Sequence, residues 1–535
     1  MASITVYGGA GEIGGNKVLV ESNGRRVFLD FGLSFSGMGT FYEEFLQPRT
    51  NNGLRDLLAL DILPRLDGIY RQDLIELDHL EDALAEAGAP DRSLWVADVK
   101  SYDEVRKRDG RPFVDGVILS HGHMDHFQHV CMLDEGIPVF CSATTKAIME
   151  AAEEAGKGGF GADVINVGKR AISTLSGGAF FPGAHRVVSE SVPRAIKVVG
   201  LRERFDAGTM HAELYPVDHS VPGAAAIVLT TDDGRTIVYT GDLRFHGRAG
   251  HLTKAFGDAL ADSEPDVLIT EGTRIDEEEQ DSEDTVREEC ARLVGQARGA
   301  LAMVGFAWKD TTRYQTMLEV ARETGRTLVV SSKLAYLLHK LNALPDPPAR
   351  PVSEEPDVRV YLKRKESMLY SKGDYVGTKH NMGYAAKWDK KDPSTLRTEH
   401  YDSGVRAYQI SAEPAKYLLH LDYYELNELI DLRPPAGSVY ISAASEPFNL
   451  EMELGKERLG NWLRRFGVNP PDFEPRYVHA SGHASGPELI DFIKGIRPKM
   501  LIPIHTHRPD IFEQELAGTG IAVHVPRVGE AIPIP

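Results

Sequence analysis

Ser120-His121-Gly122-His123-Met124-Asp125-His126 places three histidines and one carboxylate within six consecutive positions. The preceding residues 113–119 are mostly apolar and β-branched, which predicts a short buried strand that opens into this loop. Neutral imidazole nitrogens and carboxylate oxygens are the ligands that Zn²⁺ and similar divalent ions take from proteins. The sequence therefore predicts a metal site at the end of this strand.

Three later positions repeat this arrangement, in which a strand-like apolar run ends in a potential metal ligand. They are His219 after residues 215–218, Asp242 after residues 237–241 and His505 after residues 500–504. A histidine after a strand is weak evidence alone, because most such residues lie on the surface or in the core. Since these three follow the loop at 120–126, they support one another, and we expect them to complete the same site.

The N-terminal segment is rich in glycine. Residues 6–16 read Val-Tyr-Gly-Gly-Ala-Gly-Glu-Ile-Gly-Gly-Asn, and a second strand-like run, 26–32, contains Asp30. A dinucleotide-binding loop has similar glycines but leads into a helix, whereas a strand follows here, so we reject that interpretation. Together with the candidate ligands, this hairpin resembles the start of the metallo-β-lactamase fold.

The second half of the chain narrows the resemblance to the β-CASP nucleases, and within them most closely to ribonuclease J. Glu271, which ends the strand-like run 267–270, is similar to motif A of that family. His483, within residues 478–484, is similar to motif B, and His505 is similar to motif C. This ordered set of motifs is hard to obtain by chance.

The resemblance implies an α/β fold in which a metallo-β-lactamase αββα sandwich carries an inserted β-CASP domain of parallel-sheet α/β type. We expect residues 1–274 and 471–535 to form the sandwich and residues 275–470 to form the insert. Strand-like runs at 302–307 and 327–331, separated by a helical pattern, agree with a parallel β-α-β unit.

Two regions carry no motif of this family. Residues 34–110 form an extra insertion, in which helical spacing predicts helices over 54–66 and 73–87, either packed over the edge of the core or acting as a substrate-gating lid. Residues 359–391 contain nine Lys or Arg against three acids, interleaved with aromatic residues. That mixture suits either contact with nucleic acid or a solvated surface insertion. Arg313 is expected on a helix surface, with substrate contact as the alternative.

For the active site, the resemblance implies two divalent metal ions, Zn²⁺ or alternatively Mn²⁺, and a bridging hydroxide as the nucleophile. The implied ligands are His121, His123 and His219 for one ion, Asp125, His126 and His505 for the other, and Asp242 as a bridge. Asp125 and His483 are expected to be catalytic, with His483 protonating the leaving oxygen. Glu271 would hold the ring of His483 by a hydrogen bond. The implied substrate contacts are Ser442, Ser445, Ser481 and Gly482.

Composition restricts the class of protein. Of the 535 residues, 42% are hydrophobic, enough for two substantial cores. Cys131, Cys141 and Cys290 lack paired spacing, which argues against a thiolate zinc site and predicts a cytoplasmic protein. No run approaches the roughly 18 apolar residues of a membrane span, so no membrane partner is expected. The net charge of −19 disfavours nucleic-acid binding, but two divalent ions would add about four positive charges where a phosphate must lie.

The expected function is hydrolysis of phosphodiester bonds in single-stranded RNA, because a histidine at motif C, here His505, accompanies RNA substrates in this family. The sequence leaves open whether cleavage starts at an end or inside the strand. One alternative is a nuclease that acts on DNA or on both nucleic acids. Another is an inactive nucleic-acid-binding scaffold, which the presence of all seven candidate ligands disfavours. No room remains after His505 for the C-terminal domain of ribonuclease J, so a homo-oligomer would use another surface.

Overall fold

The structure is a computed structural model that describes residues 2–43, 45–49, 53–78, 80–88, 92–156, 161–174, 185–261, 263–278, 281–364, 404–445 and 450–535. Most of the basic and aromatic stretch at 359–391 therefore lies outside the described residues. Within the part of the chain that is described, no helix is both long and apolar enough to cross a membrane.

The first of two large mixed sheets contains the N-terminal hairpin and the strand that precedes the metal-binding loop. Its strands are β1 (Ser3–Gly8), β2 (Lys17–Ser22), β3 (Arg25–Leu29), β4 (Gly116–Ile118), β5 (Val139–Cys141), β8 (Ile196–Val198) and β22 (Ala531–Pro533). Their order is β22-β1-β2-β3-β4-β5-β8, antiparallel up to β3 and parallel beyond it. The strand predicted over 113–119 corresponds to β4, which is shorter and spans only Gly116–Ile118.

The second mixed sheet carries the remaining candidate ligands. Its strands are β9 (Arg204–Ala207), β10 (Met210–Pro216), β11 (Ala225–Thr230), β12 (Thr236–Tyr239), β13 (Val267–Thr270), β20 (Met500–Pro503) and β21 (Ala522–Val523). They are ordered β21-β20-β13-β12-β11-β10-β9. Because β12, β13 and β20 are parallel neighbours, the segments that follow them leave the same edge of the sheet. A hydrogen bond of 3.0 Å from Ala225 N to Ser120 O joins the loop after β4 to this sheet.

A third sheet, entirely parallel among the described strands, lies in the sequence between β13 and β20. Its strands are β14 (Ala302–Gly305), β15 (Thr327–Val330), β16 (Val358–Val360), β17 (Tyr417–His420), β18 (Val439–Ser442) and β19 (Arg476–Tyr477), in the order β16-β15-β17-β14-β18-β19. A separate ribbon pairs β6 (Asn166–Thr174) with β7 (His185–Pro193). The parallel pairing confirms the expected class of the insert, whereas its expected limits at residues 275 and 470 stay a prediction.

Helices cover the sheets. In chain order the described α-helices are α1 (Phe35–Phe41), α2 (Gly53–Ala59), α3 (Gln72–Ile75), α4 (Leu80–Ala87), α5 (Tyr102–Asp109), α6 (Met124–Phe127), α7 (Ala143–Ala155), α8 (Gly250–Leu260), α9 (Glu283–Gln296), α10 (Thr311–Glu323), α11 (Ser332–Asn342), α12 (Ala407–Ala412), α13 (Leu429–Leu432), α14 (Leu450–Phe466), α15 (Gly486–Ile496) and α16 (Pro509–Glu515). Short 3₁₀ turns lie at Arg92–Leu94, Gln128–Met132, Val352–Glu354, Pro414–Lys416 and Tyr423–Glu428.

The core follows from alternating apolar residues on the strands. Side chains from both mixed sheets meet in one buried cluster, which includes Val6, Val18, Leu214, Ile237 and Ile502. On the far side of the first sheet, α2 and α7 cover the apolar face, and on the far side of the second, α8 and α15 do so. These layers are the expected αββα sandwich.

The extra insertion differs from its sequence-based prediction in the length of its helices. The helical pattern over 54–66 ends early because Asp61 takes a positive φ of 55° and Pro64 follows. The pattern over 73–87 is interrupted because Glu76 is extended and Asp78 pairs with Ala171 of the β6 strand. Apolar periodicity therefore identified the buried faces but not the breaks between helices.

Candidate metal centre

The metal-binding loop is held from behind by Asp30, which is completely buried. Its carboxylate accepts hydrogen bonds from the backbone N (2.7 Å) and Oγ (2.6 Å) of Ser120 and from the hydroxyl of Tyr239 (2.7 Å). His126 Nδ1 lies 2.7 Å from the same carboxylate. Because Nδ1 is engaged in this way, the Nε2 lone pair of His126 is presented to the opposite side of the ring.

The first group of potential ligands comprises His121, His123, His219 and Asp242. The Nδ1 atom of His123 lies 3.1 Å from His121 Nε2 and 3.0 Å from His219 Nε2. The Oδ2 atom of Asp242 lies 3.6 Å from His121 Nε2 and 3.7 Å from His219 Nε2. Four donor atoms from three separate segments of the chain therefore converge on one point.

The second group comprises Asp125, His126, Asp242 and His505, so Asp242 belongs to both groups. The Oδ2 atom of Asp242 lies 3.1 Å from His126 Nε2 and 3.7 Å from His505 Nε2. Asp125 Oδ2 lies 3.3 Å from His505 Nε2 and 3.7 Å from His126 Nε2. The structure thus brings together all seven residues predicted as ligands, in the division that the sequence resemblance implied.

The chemistry of these donors fits divalent cations better than a hydrogen-bond network. His219 donates from Nδ1 to Gly482 O at 2.5 Å, so Nε2 of its neutral ring is an acceptor facing other acceptors. Ligand nitrogens about 2.0–2.1 Å from a tetrahedral zinc ion are separated by roughly 3.4 Å, close to the spacings here. Among the described residues, His126 Nε2 and Asp242 Oδ1 are buried without a hydrogen-bond partner. A cation between the donors would satisfy both atoms.

The pKa values of the histidines determine which of them can bind a metal without first losing a proton. Burial, reinforced by the neighbouring imidazoles, lowers the pKa of His121 and His123 well below the usual value. Burial also lowers the pKa of His219 to about 4, so these three rings are neutral ligands at pH 7. For His505, burial acts to lower the pKa, but Asp242 and Asp125 outweigh it and raise the pKa to about 9. In the metal-free protein His505 therefore carries a proton that an entering cation must displace.

Glu271 and His483 form a pair beside the cluster. Glu271 Oε2 lies 2.7 Å from His483 Nδ1, and its Oε1 accepts a hydrogen bond of 2.8 Å from the backbone N of Leu243. Glu271 is 2% exposed at its side chain and His483 is 21% exposed, so the carboxylate is buried behind a ring that reaches solvent. The His483 ring centroid lies 5.1 Å from that of His219. Although burial acts to lower the pKa of His483, Glu271 raises it above its usual value.

The predicted substrate contacts lie on two turns. Ser481 Oγ accepts a hydrogen bond of 3.1 Å from His483 N. Gly482 leaves no space for a side chain, since an added Cβ would lie 2.8 Å from Ser220 Oγ and 2.9 Å from His219 Cε1. Ser442 ends β18 and Ser445 is exposed three residues later. The two turns are neighbours because Val478 N donates to Ser442 O at 2.9 Å.

Several residues that orient the ligands were not predicted. Thr273 Oγ1 lies 2.8 Å from His505 Nδ1, and Ser120 Oγ lies 3.0 Å from His121 Nδ1. Their positions in the sequence could have indicated both residues, because Ser120 precedes His121 and Thr273 lies two positions after Glu271. Arg313, in contrast, was placed wrongly: it is buried rather than on a helix surface.

Comparison with known proteins agrees with this geometry. Residues 89–305 match the family model described as a beta-lactamase superfamily domain, and residues 475–526 match the model described as a Zn-dependent metallo-hydrolase RNA specificity domain. The fold, the two ligand groups and these matches define a hydrolase of the metallo-β-lactamase superfamily that depends on a divalent metal.

Within that superfamily the chain is similar to proteins named ribonuclease J. It is 21% identical over 516 residues to ribonuclease J of Mycolicibacterium smegmatis, covering 94% of this chain and 68% of that protein. It is 23% identical over 454 residues to ribonuclease J of Thermus thermophilus, covering 82% of this chain and 64% of that protein. A crystal structure of a protein of unknown function from Enterococcus faecalis V583 shares the fold, with a TM-score of 0.64, 22% identity and 99% of both chains covered.

Proposed function

We propose that the protein is a two-metal nuclease that hydrolyses phosphodiester bonds of single-stranded RNA. The observation that carries this proposal is the buried Glu271 bonded to the partly exposed His483, directly beside two ligand groups that share Asp242. A pair of this kind can supply the proton that the leaving oxygen of a phosphodiester takes up. The names of the relatives and the RNA specificity model over residues 475–526 support RNA as the substrate.

The seven ligand residues would hold two divalent ions, with Zn²⁺ favoured because five of the donors are imidazoles, and with Mn²⁺ as the alternative. When bound, such ions neutralise charge on a scissile phosphate and lower the pKa of an attacking water. The chain itself fixes the ligand directions from behind, through Asp30 for His126 and through Gly482 O for His219.

His483 is the residue we assign to the leaving group. Because Glu271 engages Nδ1, Nε2 is the ring nitrogen left to face a substrate, and from there it can donate a proton to the departing oxygen. Asp125 has a different role, since its carboxylate belongs to the second ligand group. Ser442, Ser445, Ser481 and Gly482 are proposed to contact phosphates of the substrate.

Two substitutions separate these roles. In His483→Ala we expect bound metal as in the wild type and a loss of cleavage by about 100-fold or more, the usual contribution of a positioned proton donor. In Asp125→Ala we expect loss of both metal and cleavage. Elemental analysis and degradation of matched single-stranded RNA and DNA, each with a 5′ phosphate or a 5′ hydroxyl, would measure both effects.

The same assay tests the substrate. RNA cleavage favoured by a 5′ phosphate indicates an exonuclease, and internal cuts that ignore the end indicate an endonuclease. Equal or faster cleavage of DNA would replace RNA as the substrate. If metal-loaded wild type cut neither nucleic acid, or if His483→Ala cut as fast as the wild type, the proposed mechanism would be wrong.

A further inference from the structure

Arg313 connects the third sheet to the turns that surround the metal cluster. It lies in α10 and is completely buried. Its guanidinium donates from Nη1 to Ala443 O, in the turn between Ser442 and Ser445, and from Nη2 to Ala480 O at 3.2 Å. Ala480 is three residues before His483. One side chain therefore holds the main chains of both turns that carry the proposed substrate contacts.

Glu283 is the counterion that keeps Arg313 in this position. It begins α9 and is 2% exposed. Its carboxylate accepts from Arg313 Nη2 at 3.0 Å and Nε at 3.2 Å, and from Thr316 Oγ1 at 2.7 Å. Burial acts to raise the pKa of Glu283, but Arg313 outweighs it and the pKa is lowered, so the carboxylate stays ionised. Because Glu283 binds one edge of the planar guanidinium, the remaining N–H groups of Arg313 point in fixed directions.

The turn that carries His483 is also held from the metal side. Arg244, two residues after Asp242, donates from Nη1 to Ser481 O at 3.0 Å and lies 3.8 Å from Glu283. His219 donates to the next carbonyl, that of Gly482, at 2.5 Å. Three consecutive carbonyls, at residues 480 to 482, therefore accept from cationic or imidazole side chains. These three bonds fix the main chain directly before His483 from two sides.

We propose that Arg313, fixed by Glu283, is a positioning residue that sets the turn of Ser442–Ser445 and the turn carrying His483 at a defined separation beside the metal cluster. The role rests on the proposed function, because its consequence is the alignment of substrate and proton donor. A shift of about 1 Å at such a position can cost about 100-fold in rate. Arg313 itself is buried behind both turns, so it acts through them.

Arg313→Lys tests this role with little change in charge. A lysine ammonium retains the charge beside Glu283 but lacks the planar fork that reaches two carbonyls at once. We expect wild-type metal content, a fall of about 100-fold in kcat for single-stranded RNA and a smaller change in KM. Amide hydrogen exchange should become faster in peptides covering 439–445 and 478–485, while a peptide covering 500–505 serves as the internal reference.

Glu319→Gln is the matched control. Glu319 also lies on α10 and pairs with Arg248, which follows β12, but both side chains are partly exposed and neither bonds to the two turns. Its substitution should leave kcat and exchange unchanged. If Arg313→Lys does not fold, Glu283→Gln gives the second measurement, because it removes the charge that fixes the guanidinium. Faster exchange is expected at both 439–445 and 478–485, and unchanged exchange at both would overturn the proposal.

The outcomes separate this proposal from the proposed function. If wild type does not cleave RNA, the nuclease assignment fails, and exchange in Arg313→Lys still decides whether the residue fixes the turns. Unchanged exchange with kcat within about twofold of wild type would overturn the positioning role. Loss of bound metal in Arg313→Lys would also overturn it, because the residue would then act on the cluster rather than on the turns.

Discussion

Asp30 shows how one buried residue can organise several parts of a metal site. Its two carboxylate oxygens accept from the loop at Ser120, from Tyr239 at the end of β12, and face Nδ1 of His126. A carboxylate with this many donors is stable in a buried position, whereas one with fewer would not be. The orientation of the His126 ring thus depends on Asp30, which lies 96 positions earlier in the sequence.

Substitution of Asp30 by Asn tests this dependence. The amide retains the volume but has one acceptor oxygen instead of two, so the ring of His126 loses its fixed orientation. We expect metal affinity to fall by about 10-fold to 100-fold, measured by competition with a chromogenic chelator. Asp232→Asn is the control, because Asp232 accepts from Ser22 near the surface and is remote from the cluster. Equal affinity in Asp30→Asn and the control would show that the carboxylate does not orient the ligand.

At the scale of secondary structure, the extra insertion depends on helix caps. Helix α5 begins with a capping box, in which Ser101 Oγ accepts from Glu104 N at 3.3 Å and the Glu104 carboxylate accepts from Ser101 N at 2.8 Å. Gly110 ends the same helix with a positive φ of 69°, a conformation that glycine adopts without strain. The helix buries Tyr102 and Val105, and Tyr102 belongs to the apolar cluster on the first sheet. The two caps and the buried side chains together hold the helix in place.

Ser101→Ala should therefore lower stability without affecting the metal site. Removal of a capping hydroxyl typically costs about 1 kcal/mol, which urea unfolding can measure. Lys107→Ala, on the exposed side of the same helix, is expected to change the free energy of unfolding by no more than about 0.5 kcal/mol. Bound metal should equal that of wild type in both variants. A loss of metal in Ser101→Ala would mean that the insertion supports the cluster directly.

Elements also show what the sequence could and could not predict. The ligands were predictable because His121, Asp242 and His505 each follow a short apolar strand, and strand ends are recognisable from composition. The parallel arrangement of the third sheet was predictable for another reason, because the strand-like runs at 302–307 and 327–331 are separated by a helical pattern. The burial of Arg313 was not predictable, because an arginine in a helix is expected to be exposed unless a buried counterion such as Glu283 is known to lie beside it. The break at Asp61 was missed because apolar spacing continues through it.

At the scale of the whole molecule, all three large sheets contribute residues to the site or to the turns beside it. The seven ligands and Glu271 come from loops attached to the two mixed sheets, whereas the third sheet supplies the turn of Ser442 after β18 and the turn of His483 after β19. Besides Arg313, the third sheet contributes Lys309, whose ammonium donates to Gly122 O at 3.1 Å within the metal-binding loop. Residues of the insert thus contact the main chain on two sides of the cluster.

Because the cluster joins both mixed sheets, metal binding should stabilise the sandwich as a whole. An ion that binds only the folded state at about a thousandfold excess over its Kd contributes about 4 kcal/mol, and this should raise Tm in thermal unfolding. Five imidazole donors favour Zn²⁺ or Mn²⁺ over Mg²⁺, which prefers oxygen ligands. We therefore expect a chelator to lower Tm, Zn²⁺ or Mn²⁺ to restore it, and Mg²⁺ to have a smaller effect. Equal recovery with Mg²⁺ would contradict an imidazole-based site, and no change on chelation would show that the ligands converge without holding a metal.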